Sequence, residues 1–331
     1  MRASNQWAFR PADERFWNLT ELHEATIQHR HQAVTATIKL EDVRVDAVGD
    51  SLQLSGRTGI PAKFTHWSFG QLASLAQAPG SYLRTLPATL AAQNLNHGLK
   101  NRENGESHIL MTHRKATSGG LTTGLPETYR IRAFTSDRYS RIWNHEIVER
   151  LIELPSEWRV PPARPASTDP RSRPATEADL LDRKGMLSIK VGDMIAPAGL
   201  YASEEDMFVF MVDESRPIYD GTPEGLARGF FITNSEVGKA SFRVTTFLYR
   251  HCCGNHIIWD ATQLEEIRIR HVGTAPTKAF AQLNVELIKY AEASAVKDEV
   301  KIRIAKSFKI AANVDDVIDA VFQKKIISRS N

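Results

Sequence analysis

Cysteine is almost missing from this chain: two occur in 331 residues, and they are neighbours, Cys252 and Cys253. A disulfide wants Cα atoms about 4.4–6.8 Å apart with a defined torsion, which adjacent residues rarely supply. A disulfide framework is therefore excluded and a reducing compartment is expected. Long apolar runs are missing too. No window approaches the ~18 apolar residues of a membrane span, and Met1 to His31 is polar, without the apolar core of a signal peptide. A cytoplasmic protein with no membrane partner is the expectation. Neither sign of charge prevails, since 42 Lys and Arg face 39 Asp and Glu for a formal charge of +3. That balance excludes a uniformly basic nucleic-acid coat, so nucleic-acid binding must come from a local patch. Signatures of nucleotide, serine and zinc chemistry are also absent: there is no Walker loop, no G-x-S-x-G elbow and no H-E-x-x-H. No cofactor is expected.

What is present is enough for a real core. Hydrophobic residues make up 42% and charged residues 24%, close to the globular average. The length suits one large domain or two ordinary ones. Residues 1–32 read as an arm carrying Trp7, Phe16 and Trp17, able to dock on the body or on a partner. Residues 33–154 read as an α+β region, and 179–275 as an antiparallel β region followed by helices over 276–331. Between the two halves, 155–178 holds six prolines (155, 161, 162, 165, 170, 174) and several arginines. Proline that dense blocks helix and sheet alike, so a linker or exposed loop is predicted there. The expected fold class is α+β, with antiparallel sheets, a helical pair in the first half and packed helices at the end.

Period-two alternation in VTATIKL and VRVDAV, with Gly49-Asp50 before SLQL, predicts a hairpin or meander. Thr65 is placed to cap a helix through Ala76, and Pro87 opens a second through Leu99. Strands are expected at 108–113 and 129–134, joined through Gly119-Gly120, with a helix over 137–154. Beyond the linker, strands are expected at 207–212, 229–233, 241–249, 256–259 and 267–271. Pro276 starts a helix with Phe280, Leu283, Leu287 and Ala291 on one stripe, and Asn313 caps a last one. Asn94, Asn96 and His97 are unusual inside a helix and suggest a polar network tying it to the sheet.

Basic residues interleaved with aromatics carry the strongest chemical signal. In the strand 129–134, Arg130 and Arg132 are expected on one face with Phe134, beside Tyr129. Arg138 and Arg141, three apart on the helix predicted from Asp137, would extend the patch with Tyr139 and Trp143. Arginines attract phosphate, and aromatic faces stack bases at ~1–3 kcal/mol each. A second cluster, Arg243, Arg250, Arg268, Arg270 and His271, falls largely on alternating strand positions, with Glu265, Glu266 and Glu286 near enough to neutralise it. Other constellations are weaker. Phe69 to Leu86 fits a helix-turn-helix template in part, but its turn glycine is displaced. His251, Cys252, Cys253, His256 and His271 lack the usual zinc spacings, because adjacent cysteines on a strand point to opposite faces. Catalysis would need Cys253 or Ser235 beside His256, or a metal among Glu236, Asp206 and Asp260. The string Asn234-Ser235-Glu236-Val237-Gly238 is polar at a strand end, where sites often lie.

Five strings in this order, WSFGQLASLAQAPGSYLRTLP with LAAQNLNHGL, RAFTSDRYSRIWNHEI, GLYASEEDMFVFMVD, GFFITNSEVG and FLYRHCCGNHIIW, span about residues 60–275. In them the chain resembles the phage- and plasmid-associated "domain of unknown function" family numbered nine-three-two. The resemblance implies a mobile-element protein and no established reaction. A twisted antiparallel sheet followed by a long helix also resembles single-strand annealing proteins, which is fold analogy. Other members often carry an aromatic or apolar residue where this chain has Cys252, so Cys252 is not read as functional. The expected function is nucleic-acid binding, with single-stranded DNA as partner, in recombination or annealing by a homo-oligomer. Two alternatives stand: a metal-dependent nuclease around Glu236 and His256, and a protein-binding factor that uses the arm and linker against a host system.

Overall fold

The computed structural model describes residues 6–55, 62–102, 105–114, 117–118, 121–122, 128–154, 157–161, 163–180, 189–222, 225–250, 257–259 and 266–307. Helices and sheets occur together, and the fold is α+β. The helix expected from Asn313 and the turn at Gly119-Gly120 lie outside the described residues.

In the first half, α1 (Leu19–His31) leads into β1 (Ala33–Lys39), β2 (Arg44–Val48), β3 (Ser51–Ser55) and β4 (Ala62–Phe64). Three helices follow, α2 (His66–Leu75), α3 (Gly80–Leu83) and α4 (Ala88–Lys100). Then come β5 (Glu106–Arg114), the short β6 (Thr117–Ser118) and β7 (Leu121–Thr122), β8 (Thr128–Thr135) and α5 (Asn144–Ile152). The main sheet runs β1-β5-β8-β4-β3-β2, antiparallel except where β4 lies parallel to β8. Leu72, Leu83, Leu95 and Leu99 of the helices cover one face of it, against Ile109, Ile131 and Phe134.

Local chemistry explains these elements. Thr65 and Ser68 form a reciprocal capping box that starts α2 where the sequence indicated. Of the three polar residues singled out on α4, Asn96 alone ties the helix to the sheet. Its amide accepts from Val45 N–H and donates to Val45 C=O, both at 2.8 Å. That grip closes a stretch of the edge strand β2 with a side chain in place of a neighbouring strand. Asn94 and His97 are exposed.

The second half contains β9 (Arg164–Pro165), β10 (Arg173–Pro174), β11 (Met194–Ala196), β12 (Leu200–Ala202), β13 (Met207–Ile218) and β14 (Leu226–Asn234). It continues with β15 (Phe242–Arg250), β16 (Ile257–Trp259), β17 (Glu266–Ile269), α6 (Ala275–Glu292) and α7 (Val296–Ser307). Strands β12 to β15 form an antiparallel meander, and β15 pairs both β16 and β17 along its far edge. Residues 230, 232, 242 and 244 point to an inner face packed on α1, α5 and α6, where Leu283 and Leu287 are fully buried. The other face is aromatic: Phe208, Phe210 and Phe247 are closed over by Trp7, so the N-terminal residues dock on the body.

The proline-rich segment is also tied down, contrary to a free linker. Arg15 pairs with Asp169, Arg171 with Glu21 at 2.9 Å, and Arg173 with Asp179 at 2.7 Å. Trp158 packs edge-on against Phe230 with ring centroids 4.9 Å apart. These side chains add to backbone attachments: β9 and β10 flank β11, and Arg159 exchanges hydrogen bonds with Val212 at 2.8 Å.

Helices α2 and α4 approach so closely that a Cβ at Gly98 would lie 2.1 Å from the Ala76 carbonyl oxygen. In an isolated helix Gly→Ala stabilises by about 1 kcal/mol. Here Gly98→Ala is expected to destabilise by about 1–3 kcal/mol through overpacking. A lowered urea midpoint is the expected result; a raised one would contradict the close crossing.

Candidate nucleic-acid interface

The site begins with an irregularity in β8. Ile131 lies opposite Met111 and Ala133 opposite Leu110, which leaves Arg132 as an extra residue without a cross-strand partner. A bulge of this kind reverses the alternation of side chains beyond it. Tyr129, Ile131 and Phe134 consequently all face the helices, while Ala133 joins Leu110 and Val237 on the opposite side. The expected common face of Arg130, Arg132 and Phe134 is therefore corrected: the bulge turns Phe134 to the helices, while Arg130 and Arg132 both reach Glu204 on the other side. Helix α2 holds the irregular backbone. Ser68 Oγ donates to the Ile131 carbonyl at 2.8 Å, and Gln71 Oε1 accepts from Phe134 N–H at 3.0 Å. Gln71 Nε2 and Trp67 Nε1 both donate to the Val237 carbonyl at 2.9 Å, joining the helix to the second sheet.

Arg132 points into this junction. Its guanidinium donates to the Glu204 carbonyl at 2.9 and 2.6 Å and to Glu236 Oε2 at 3.0 Å. Glu236 Oε1 accepts from Asn144 N–H at 2.9 Å. Asn234 Nδ2 donates to the Ile142 carbonyl and to Asn144 Oδ1 at 2.9 and 2.8 Å. The ion pair is sealed, Arg132 being 2% and Glu236 1% exposed. Arg132 is thus withdrawn from the expected phosphate contacts, because both faces of its guanidinium edge are already matched by protein oxygens. For the same reason Glu236 is not a metal ligand: each carboxylate oxygen has its own donor. Its partner is Arg132, not Arg243.

Beside the ion pair lies a stack. Tyr139 donates to the Ser235 carbonyl at 3.0 Å and lies flat on His271, with centroids 5.2 Å apart and planes 5° apart. The Arg141 guanidinium sits 5.3 Å from the Tyr139 ring and 5.4 Å from that of Trp143, whose ring also carries Arg30 at 4.3 Å. Burial pushes the Tyr139 phenol up and the Arg141 and His145 groups down. It lowers His271 to about 4. Arg141 Nη1 is buried without a hydrogen-bond partner among the described residues. The helix expected from Asp137 starts only at Asn144. Residues 138–140 instead bond to the segment after β17: Ser140 N–H to the His271 carbonyl at 2.9 Å, and Gly273 N–H to the Arg138 carbonyl at 3.4 Å. Arg138 and Arg141 therefore do not share a helix face.

The remaining candidates lie at the surface. Arg243 on β15 stands directly opposite Arg268 on β17, and Glu266 reaches Arg243 at 3.1 Å. Arg268 Nε donates to Ser241 Oγ at 3.1 Å. Arg270 follows the end of β17 and is exposed, as is Arg138, which the bonds just described bring to the same end of that strand. Arg130 is paired with Glu204 at 3.2 Å, and Tyr129 packs into the helical core beside His113. The structure thus sorts the ten candidates into an interior set (Arg132, Tyr139, Arg141, Trp143), an exposed set (Arg138, Arg268, Arg270), the half-buried Arg243 and the pair on β8. Glu204, Asn144 and Gln71 belong to the junction without having been singled out; the polar string after β14 was its visible signal.

Other expected constellations fare differently. Helix α3 has four residues, too few for a recognition helix, so the helix-turn-helix reading is replaced by a helical hairpin. Asp206 is held by Arg10 at 3.0 Å and Ser203 at 2.8 Å, and Ser235 Oγ donates to the Glu205 carbonyl at 2.6 Å. His251, Cys252, Cys253, His256, Asp260 and Glu265 lie outside the described residues, as does the side chain of Arg250. Among the described residues no group of three or more His, Cys, Asp or Glu side chains is placed to hold a metal. Comparison with protein-family models, curated proteins and solved structures finds no match to the chain.

Glu236→Ala strands a buried guanidinium and is expected to lower stability by about 3–5 kcal/mol in urea unfolding. A loss below about 1 kcal/mol would show the pair to be peripheral. His271, neutral in the fold, titrates near 4 when folded and in the ordinary range near 6.5 when unfolded. The unfolded chain then binds more protons between those values, so stability falls as pH drops from 6.5 to 4, by roughly 2–3 kcal/mol. His271→Gln should flatten that part of the profile of melting temperature against pH.

Proposed function

We propose that the chain binds single-stranded nucleic acid through the exposed arginines at the β15–β17 edge, as a mobile-element protein. One observation carries this reading: Arg243 and Arg268 are direct cross-strand neighbours with like charge. Such pairs destabilise a sheet, and one carboxylate, Glu266, is the ion-pair partner found for them among the described residues. Arg138 and Arg270 add two more exposed guanidinium groups at the same end of β17. A polyanion converts that repulsion into attraction by bringing phosphates to each cation.

The cations offer contact with the sugar-phosphate backbone, and the single-stranded form is the one proposed. Arg141, held between the rings of Tyr139 and Trp143, lies next to this edge through the Tyr139–His271 stack. A strand crossing the edge would meet the exposed cations, the rings behind them being covered by His271, Arg141 and Arg30.

Fluorescence anisotropy with a labelled single-stranded oligonucleotide tests the proposal. Log affinity should fall with log salt at a slope of about −2 to −3, the value for three or four phosphate contacts. Arg268→Glu with Arg270→Glu should weaken binding at least tenfold and leave the melting temperature unchanged. No binding at low salt, or binding indifferent to that charge reversal, would refute it.

A further inference from the structure

A separate cavity of about 360 Å³ opens between β4 and the three helices α2, α3 and α4. Its floor is apolar, made by Phe64, Phe69, Leu83 and Leu86. Its rim carries Lys63, His66 and Arg84, with Asp50 as the one carboxylate in the lining. That size is near the lower end of ligand pockets, enough for a single small ligand.

Arg84 is held in place. Its Nη2 donates to the His66 carbonyl at 2.8 Å, and the guanidinium lies 4.7 Å from the Phe69 ring centroid. Gly70 and Gly80 lie beside it, where a Cβ would make ordinary contact with Nη2 at 3.8 Å and with Nη1 at 3.6 Å. No carboxylate pairs with Arg84 or Lys63 among the described residues. A protein that immobilises an arginine over an aromatic ring and leaves it without a counter-charge has prepared a site for an anion, since the ordering has already been done. The flat guanidinium and the apolar floor favour a planar ring on that anion.

We propose that this cavity binds one nucleoside 5′-monophosphate, its base against the apolar floor and its phosphate at Arg84 and Lys63. This site is independent of strand binding at the β15–β17 edge and shares no residue with it.

Deoxyadenosine monophosphate is the probe, titrated into the full chain by isothermal calorimetry, with deoxyadenosine and inorganic phosphate in parallel. The monophosphate should bind at least tenfold more tightly than either fragment. Lys63→Glu and Arg84→Gln should each weaken it at least tenfold, and the Arg268→Glu with Arg270→Glu protein should bind it normally. Lys63 is exposed and its side chain makes no hydrogen bond or ion pair among the described residues, so its variant decides the matter even if the Arg84 variant does not fold. The proposal fails if the monophosphate binds no better than its fragments, if Lys63→Glu leaves affinity unchanged, or if the edge variant abolishes binding.

Discussion

The architecture depends on one buried ion pair, Arg132 with Glu236, which joins two sheets built from distant halves of the chain. Charges sealed from water in this way are tolerated when every remaining donor and acceptor is matched. Here the matching is done by the Glu204 carbonyl and the Asn144 amide. Around the pair, Trp67 and Gln71 from α2 fasten to the Val237 carbonyl, and Tyr139 fastens to that of Ser235. Removing either charge would leave the other buried without a counter-charge, so the junction holds as a unit.

The same arrangement sorts the arginines. The bulge in β8 turns Arg132 inward, and the strand-like path of residues 138–140 carries Tyr139 and Arg141 against the junction while Arg138 remains outside. Guanidinium groups that looked equivalent along the sequence therefore do different work. One closes the interior, one is lodged between aromatic rings, and those on the β15–β17 edge face solvent with a single carboxylate among them. Arg84 forms a further class, fixed but uncompensated. The proposed ligands follow from this inequality, because only cations without internal partners have attraction left for an anion.

Much of the framework was legible before any coordinates. Alternating apolar residues marked β2 and β3, β-forming composition marked the long strands of the second sheet, and the capping role of Thr65 and the apolar stripe of α6 were readable from spacing alone. Residues 137–143 were misread as helix because their hydrogen-bond partners come from the segment after β17, more than a hundred residues later. The proline-rich stretch was read as a linker or exposed loop, and its attachments come from afar for a related reason: ion pairs with Arg15 and Glu21, and short strand pairings with β11, leave no periodic trace. On α4 the three polar residues looked alike, yet only Asn96 meets an edge strand.

The sequence by itself determined that the chain forms an α+β core, and where its principal helices and strands lie. These follow from periodicity, caps and turns, all short-range properties. It also showed that any nucleic-acid affinity must be local, since the net charge is only +3. Which arginines are buried and which remain exposed was decided only by tertiary structure. A guanidinium is left available or consumed according to the carboxylates and carbonyls that the fold brings to it, and those come from elements far away in the chain.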